Sequence, residues 1–163
     1  SHIDLDSVSR MINVNFSSQV AILRRLLTPN LEKVINIASV QASFAMRNRS
    51  LYCASKGGMQ LLIEALQLEE PNIQTYNVIL GYMKTKLSYN SIGPNGKRFL
   101  KVDKNQEKGL LPEKVSALLL RKILKSSGGE ICIAGVRERI ALFLFRYLRP
   151  VFIFLRKFMR FAS

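Results

Sequence analysis

Three side chains in this sequence could handle a proton together: the hydroxyl of Ser39, the phenol of Tyr52 and the ammonium of Lys56. In Tyr52-Cys53-Ala54-Ser55-Lys56 the outer pair is four residues apart, a spacing that stacks both on one face of a helix. An ammonium beside a phenol favours the phenolate, bringing its pKa from about 10 toward the range of a general acid or base. Ser39 closes a short β-branched run, and a hydroxyl at the carboxyl end of a strand can donate to a substrate oxygen. Cys53 reads as a small buried residue with no base nearby to make a thiolate nucleophile. With only Cys53, Cys132 and His2 as soft ligands, the chain has no zinc-ligand spacing, so no metal site is expected.

The surrounding elements must bring these groups to one place. Apolar residues at helical intervals (Val8, Met11, Ile12, Val20, Leu23, Leu26, Leu27) predict a long helix over 6–28, with Asp4 or Asp6 as its N-cap. Lys33 to Ser39 predicts a strand covered on both faces, and a polar stretch, 41–51, follows. Met59, Leu62, Ile63 and Leu66 predict a second long helix over 52–69, broken at Pro71-Asn72. A strand over 73–80 ends at Gly81, and 82–111 reads as an irregular, lid-like segment. Pro112 opens a helix to about Lys125, and 130–134 forms a short third strand. Alternating helices and strands favour a parallel sheet with helices on its faces.

With Ser39, Tyr52 and Lys56 in this order of elements, the chain resembles the short-chain dehydrogenase/reductase family from about residue 6 to 135. Met11-Ile12-Asn13-Val14-Asn15-Phe16 is similar to that family's helix carrying a catalytic asparagine, which places the role on Asn15. Leu80-Gly81 stands where the family commonly has Pro-Gly, and Thr85 where a threonine contacts the nicotinamide carboxamide. The resemblance implies the α/β fold of the C-terminal part of a Rossmann-like doubly wound parallel sheet, three strands with flanking helices. It also implies hydride transfer between NADP or NAD and a small-molecule carbonyl or alcohol. Tyr52 would pass the proton, Ser39 polarise the substrate oxygen, Lys56 lower the Tyr52 pKa and hold the nicotinamide ribose, and Asn15 anchor a water. Gly81 and Thr85 join Tyr52 and Lys56 as cofactor-binding residues, and a homo-oligomer of the complete protein is implied through the two long helices.

The family's glycine-rich turn, where a helix N-terminus holds pyrophosphate, has no counterpart here. Gly57-Gly58 lies inside a helix and Gly93 to Gly96 follows no strand. The N-terminal cofactor half, about three βαβ units, is therefore expected to be absent from this chain, which opens as if mid-protein and without a secretory signal. The remaining half-sheet is expected to expose an apolar edge, leaving the polypeptide poorly stable and inactive by itself.

The chain carries 25 basic and 11 acidic residues, a formal charge of +14, and 11 of those basic residues against three acidic ones fall in 111–163. Domain 1–135 is thus followed by a basic, apolar extension, 136–163. Arginines bracket Ile140 to Phe161, and Arg146, Arg149 and Pro150 interrupt every run that could approach a bilayer span of about 20 residues. The pattern suits an interfacial segment over 137–161 on an anionic leaflet, in two pieces hinged at Pro150. Packing on the missing half or a second subunit is the alternative. No aromatic stacking row accompanies the lysines of 82–111, so no nucleic-acid partner is expected. Two functions follow: an oxidoreductase for an apolar or lipid-like substrate at a membrane surface, or a truncated, non-catalytic membrane-associated or partner-binding fragment. The location expected is peripheral to a membrane, the endoplasmic reticulum included, with the cytoplasm as the alternative.

Overall fold

In a computed structural model of the chain, the described residues are 5–46, 49–90, 100 and 102–156. Three parallel strands, β1 (Lys33–Ser39), β2 (Gln74–Leu80) and β3 (Gly129–Ile133), lie in the order β1-β2-β3. Their register runs from Lys33 opposite Gln74 to Ser39 opposite Leu80, and from Tyr76 opposite Gly129 to Leu80 opposite Ile133. The carboxyl ends therefore align, and every residue of the expected site sits on or just beyond them.

The first helical stretch is not uniform. α1 (Leu5–Ile12) and α2 (Ser18–Leu26) are joined by a π-helical turn over Asn13–Ser17, a widening that uniform helical periodicity does not announce. α4 (Ser50–Glu69) buries Met59, Ile63 and Leu66 against Phe16, Val20, Leu23 and Leu27 of that stretch. Gly58 allows this approach, since a Cβ there would lie 3.3 Å from the Phe16 ring. α4 is also tied to the sheet by a buried amide ladder. Asn36 donates to Asn77 at 2.8 Å, and Asn77 donates to the Gln60 carbonyl at 3.0 Å.

The 41–51 stretch, expected to be irregular, begins with the short helix α3 (Val40–Ser43). The 82–111 segment likewise holds two short helices, α5 (Leu87–Asn90) and α6 (Lys104–Glu107). Its base is closed by Lys84 N–H donating to the Leu110 carbonyl and Leu110 N–H to the Tyr82 carbonyl, both at 2.9 Å. Asp103 N–H donates to Ser88 Oγ, while Gln106 Oε1 accepts from both the amide and the hydroxyl of Ser88. These bonds come from side chains distant in sequence, which is why composition alone reads the segment as a loop.

α7 (Pro112–Ile123) covers one sheet face over Tyr76, Val78, Leu80, Ile131 and Ile133. It stops short of β1, where Ile35 and Ile37 remain 43% and 46% exposed on the edge strand. The opposite face is closed by α8 (Val136–Tyr147) and α9 (Arg149–Arg156), the extension divided at Leu148 just before Pro150. Phe152 is 1% exposed in a cluster with Ala38, Val40, Phe44, Ile79 and Leu142, its ring 5.1 Å from that of Phe44. The start of the tail is thus part of the core rather than an appendage. Phe152→Ala should cost about 3–5 kcal/mol in denaturant unfolding; a loss below about 1 kcal/mol would show that the tail does not complete this core.

Candidate active site

Ser39 is both the last residue of β1 and the N-cap of α3. Its Oγ accepts the Gln41 N–H at 3.2 Å, which holds the hydroxyl at the strand end. The chain then returns through α4, which lies close to α3 because residue 57 is glycine. A Cβ at Gly57 would stand 3.0 Å from the Ala42 carbonyl oxygen. That approach carries Tyr52, in the first turn of α4, to Ser39, and the two hydroxyls are hydrogen-bonded.

Burial pushes the Tyr52 phenol above its ordinary value, while the Ser39 hydrogen bond and then the Arg49 charge pull it down. The ammonium of Lys56, expected to dominate this balance, instead donates to the Ile37 carbonyl at 3.1 Å. Burial lowers the Lys56 pKa. The four-residue spacing places both groups on one helical face as read, but the phenol's environment is set first by desolvation.

Asn15 lies within the π-helical turn and donates to Ser55 Oγ at 3.4 Å. Ser55 is buried and donates in turn to the Tyr52 carbonyl at 3.0 Å, so Asn15 is linked to the backbone of Tyr52. Gly81 follows β2 with its N–H on the Ile133 carbonyl at 3.0 Å, and a Cβ there would sit 2.9 Å from Ala134. Only glycine fits at that strand end without displacement. Thr85 Oγ1 accepts the Leu87 N–H at 3.4 Å, beyond the strand end and in the base of the lid segment.

Several groups here carry no motif in the sequence. Arg49 pairs with Asp103 at 3.3 Å, tying the start of α4 to the N-cap of α6. Tyr82, next to Gly81, lies by Gln41, whose amide acts to lower its pKa, yet neither the Tyr82 hydroxyl nor Gln41 Oε1 meets hydrogen-bond geometry. Burial foremost, then the Asp103 charge, raises the Tyr82 phenol. Its position immediately after a strand-end glycine is the signal that could have singled it out. The widest hollow, about 430 Å³ between α7 and β3, lies by Arg121, Lys122, Lys125 and Glu130 at the other end of β3 and takes no part in this cluster. Among the described residues no group of histidines, cysteines and carboxylates could hold a metal ion.

Ser39, Tyr52, Lys56 and Asn15 are therefore gathered at the carboxyl edge of a parallel sheet, where open α/β sheets bind ligands. Solved structures share this framework. A short chain dehydrogenase family protein from Francisella tularensis superposes with a TM-score of 0.63 at 24% identity, covering 82% of this chain and 62% of that one. A 4-hydroxyisoleucine dehydrogenase mutant complexed with NADH and succinate gives 0.62 at 19% identity, covering 82% and 60%. Among curated proteins, a "Dehydrogenase/reductase SDR family protein 7-like" of Drosophila melanogaster is 33% identical over 147 residues, 86% of this chain and 44% of its own length. "Dehydrogenase/reductase SDR family member 7B" of Xenopus laevis is 33% identical over 155 residues, 91% and 47%. The chain thus spans about half the length of these relatives. Residues 1–93, more than half of the sequence, match the family profile described as short chain dehydrogenase, and the chain belongs to that family.

Proposed function

We propose that this chain forms the substrate and proton-transfer side of an NADP- or NAD-dependent oxidoreductase that interconverts an apolar or lipid-like carbonyl and its alcohol. The observation that carries this reading is the hydrogen bond between Ser39 and Tyr52 at the sheet's carboxyl edge. A bound nicotinamide supplies or accepts the hydride. Tyr52 passes the proton to or from the substrate oxygen, and Ser39 orients that oxygen. The phenol's raised pKa keeps it protonated at neutral pH, the form required to reduce a carbonyl.

The residues present suit one end of such a cofactor. Lys56 has ammonium donors beyond the one spent on Ile37, and with Tyr52 it offers ribose hydroxyls an ammonium and a phenol on one helix face. Gly81 admits a close backbone approach, and Thr85 stands just beyond it. Asn15, fixed to Ser55 within the π-helical turn, is placed to hold a water for the proton relay. The pyrophosphate end needs a glycine-rich turn that these residues do not supply. The complete enzyme therefore draws on further strands, and the edge of β1 with Ile35 and Ile37 is where they pair. The outer faces of α1, α2 and α4 carry Val14, Ile22, Leu26, Leu61 and Leu68 in solvent, which favours pairing of the complete protein with a second copy. Gln41 and Tyr82, polar groups without a hydrogen-bond partner beside Ser39, suit a second polar group on the substrate.

The second reading, a non-catalytic fragment, is favoured by the same open edge, and the two separate cleanly. The chain alone should show no saturable binding of NADH or NADPH below about 1 mM by titration calorimetry, a threshold equal to about 4 kcal/mol; tighter binding would refute the claim of incompleteness. In the protein that carries the preceding half, Tyr52→Phe should lower kcat on long-chain aldehydes or ketones about 10²-fold or more while leaving the cofactor Kd unchanged. A Tyr52→Phe enzyme of unaltered kcat would defeat the oxidoreductase mechanism.

A further inference from the structure

α8 is apolar on two sides. Ala141 and Leu142 are buried against the chain's own core, which fixes the rotation of the helix. On the opposite side Val136, Ile140, Phe143 and Tyr147, spaced by four, three and four residues, form one stripe in solvent. They are 73%, 53%, 55% and 71% exposed. The Phe143 and Tyr147 rings touch each other at 5.1 Å between centroids and extend the stripe. α9 continues the surface with Val151, Ile153 and Leu155, all exposed, while Phe152 pins it to the core.

We propose that this stripe lies in the interfacial layer of an anionic lipid leaflet. Three observations favour a lipid surface over a protein. Helical spacing puts Arg139 and Arg146 along one side of the stripe and Arg137 along the other, with Arg149 following, while Glu138 is turned away to accept the Tyr82 N–H. Such a rim meets anionic headgroups while the apolar row meets acyl chains. A second copy of the chain laid on the same stripe would bring arginine rims against arginine rims, which costs rather than stabilises. Added strands have their own site at the β1 edge, so they do not account for this helix face. Among the described residues no helix is long and apolar enough to cross a membrane, which leaves an in-plane contact. Phe152 touches the cluster holding Val40 and Phe44, on either side of Gln41, so the contact would set the mouth of the Ser39 site close to the leaflet. This inference concerns binding alone and stands apart from the redox reading.

The test is flotation of the full chain with vesicles of phosphatidylcholine containing roughly one-third phosphatidylserine, compared with phosphatidylcholine alone. Co-flotation with the anionic vesicles is expected. Ile140→Asp with Phe143→Asp should reduce it about tenfold or more, with circular dichroism unchanged because both sites are exposed. Arg137→Gln and Arg139→Gln should each weaken it about fivefold, an effect lost at high salt. The chain has no tryptophan, so Tyr147→Trp provides a single reporter whose emission should shift to the blue and be quenched by brominated lipid. The proposal is overturned if the chain does not float, or if the aspartates leave flotation unchanged. It is also overturned if Ile35→Asp with Ile37→Asp abolishes flotation while the stripe variants do not, or if the stripe variants instead dissolve a dimer seen in sedimentation.

Discussion

Ser39 serves two structures at once. Its side chain accepts the Gln41 N–H and so starts α3, and it meets the Tyr52 hydroxyl and so fixes the proton-transfer site. Moving this residue would unmake the strand-to-helix turn and the site together. The chain meets the constraint by removing side chains elsewhere. Gly57 lets α4 approach the Ala42 carbonyl, and Gly58 admits the Phe16 ring, so the helix carrying Tyr52 settles against both α3 and α2. The Asn36–Asn77–Gln60 ladder then prevents α4 from sliding along the sheet, since a shift would strand buried amides.

Much of this was legible because it is periodic or local. The order of strands and helices follows from apolar spacing, and Tyr52 and Lys56 share a face because they are four residues apart. The strand end at Ser39 was marked by Ile35, Ile37 and the polar stretch beyond. What sequence spacing could not give was the local field. The ammonium of Lys56 is spent on the Ile37 carbonyl, and burial, a property of the whole fold, dominates the Tyr52 phenol. The order in 82–111 was equally hidden, because Ser88, Asp103 and Gln106 find one another only after the chain has turned. The π-helical turn at Asn15 leaves a pattern too close to that of an ordinary helix to be read, although such turns gather at functional positions.

The extension shows a different limit. Its division near Pro150 and its arginine-bracketed apolar content are plain in the sequence, but which apolar residues enter the core is not. Phe152 is buried while Val151 and Ile153 on either side are exposed, a choice made by the pocket between Val40, Phe44 and Leu142. The two open apolar surfaces, the β1 edge and the α8 stripe, consequently differ in kind. The edge offers unpaired backbone and asks for strands, whereas the stripe is a finished helix with no backbone bond to give.

The account rests on the bond between the Ser39 and Tyr52 hydroxyls, and NMR titration of carbon-labelled tyrosine, assigned through Tyr52→Phe, tests it most directly. The Tyr52 phenol should titrate above 10.0 because burial disfavours its charged form. In Ser39→Ala, where the lowering hydrogen bond is gone, its midpoint should rise further. A Tyr52 midpoint at or below 10.0, or one that Ser39→Ala leaves in place, would contradict the account.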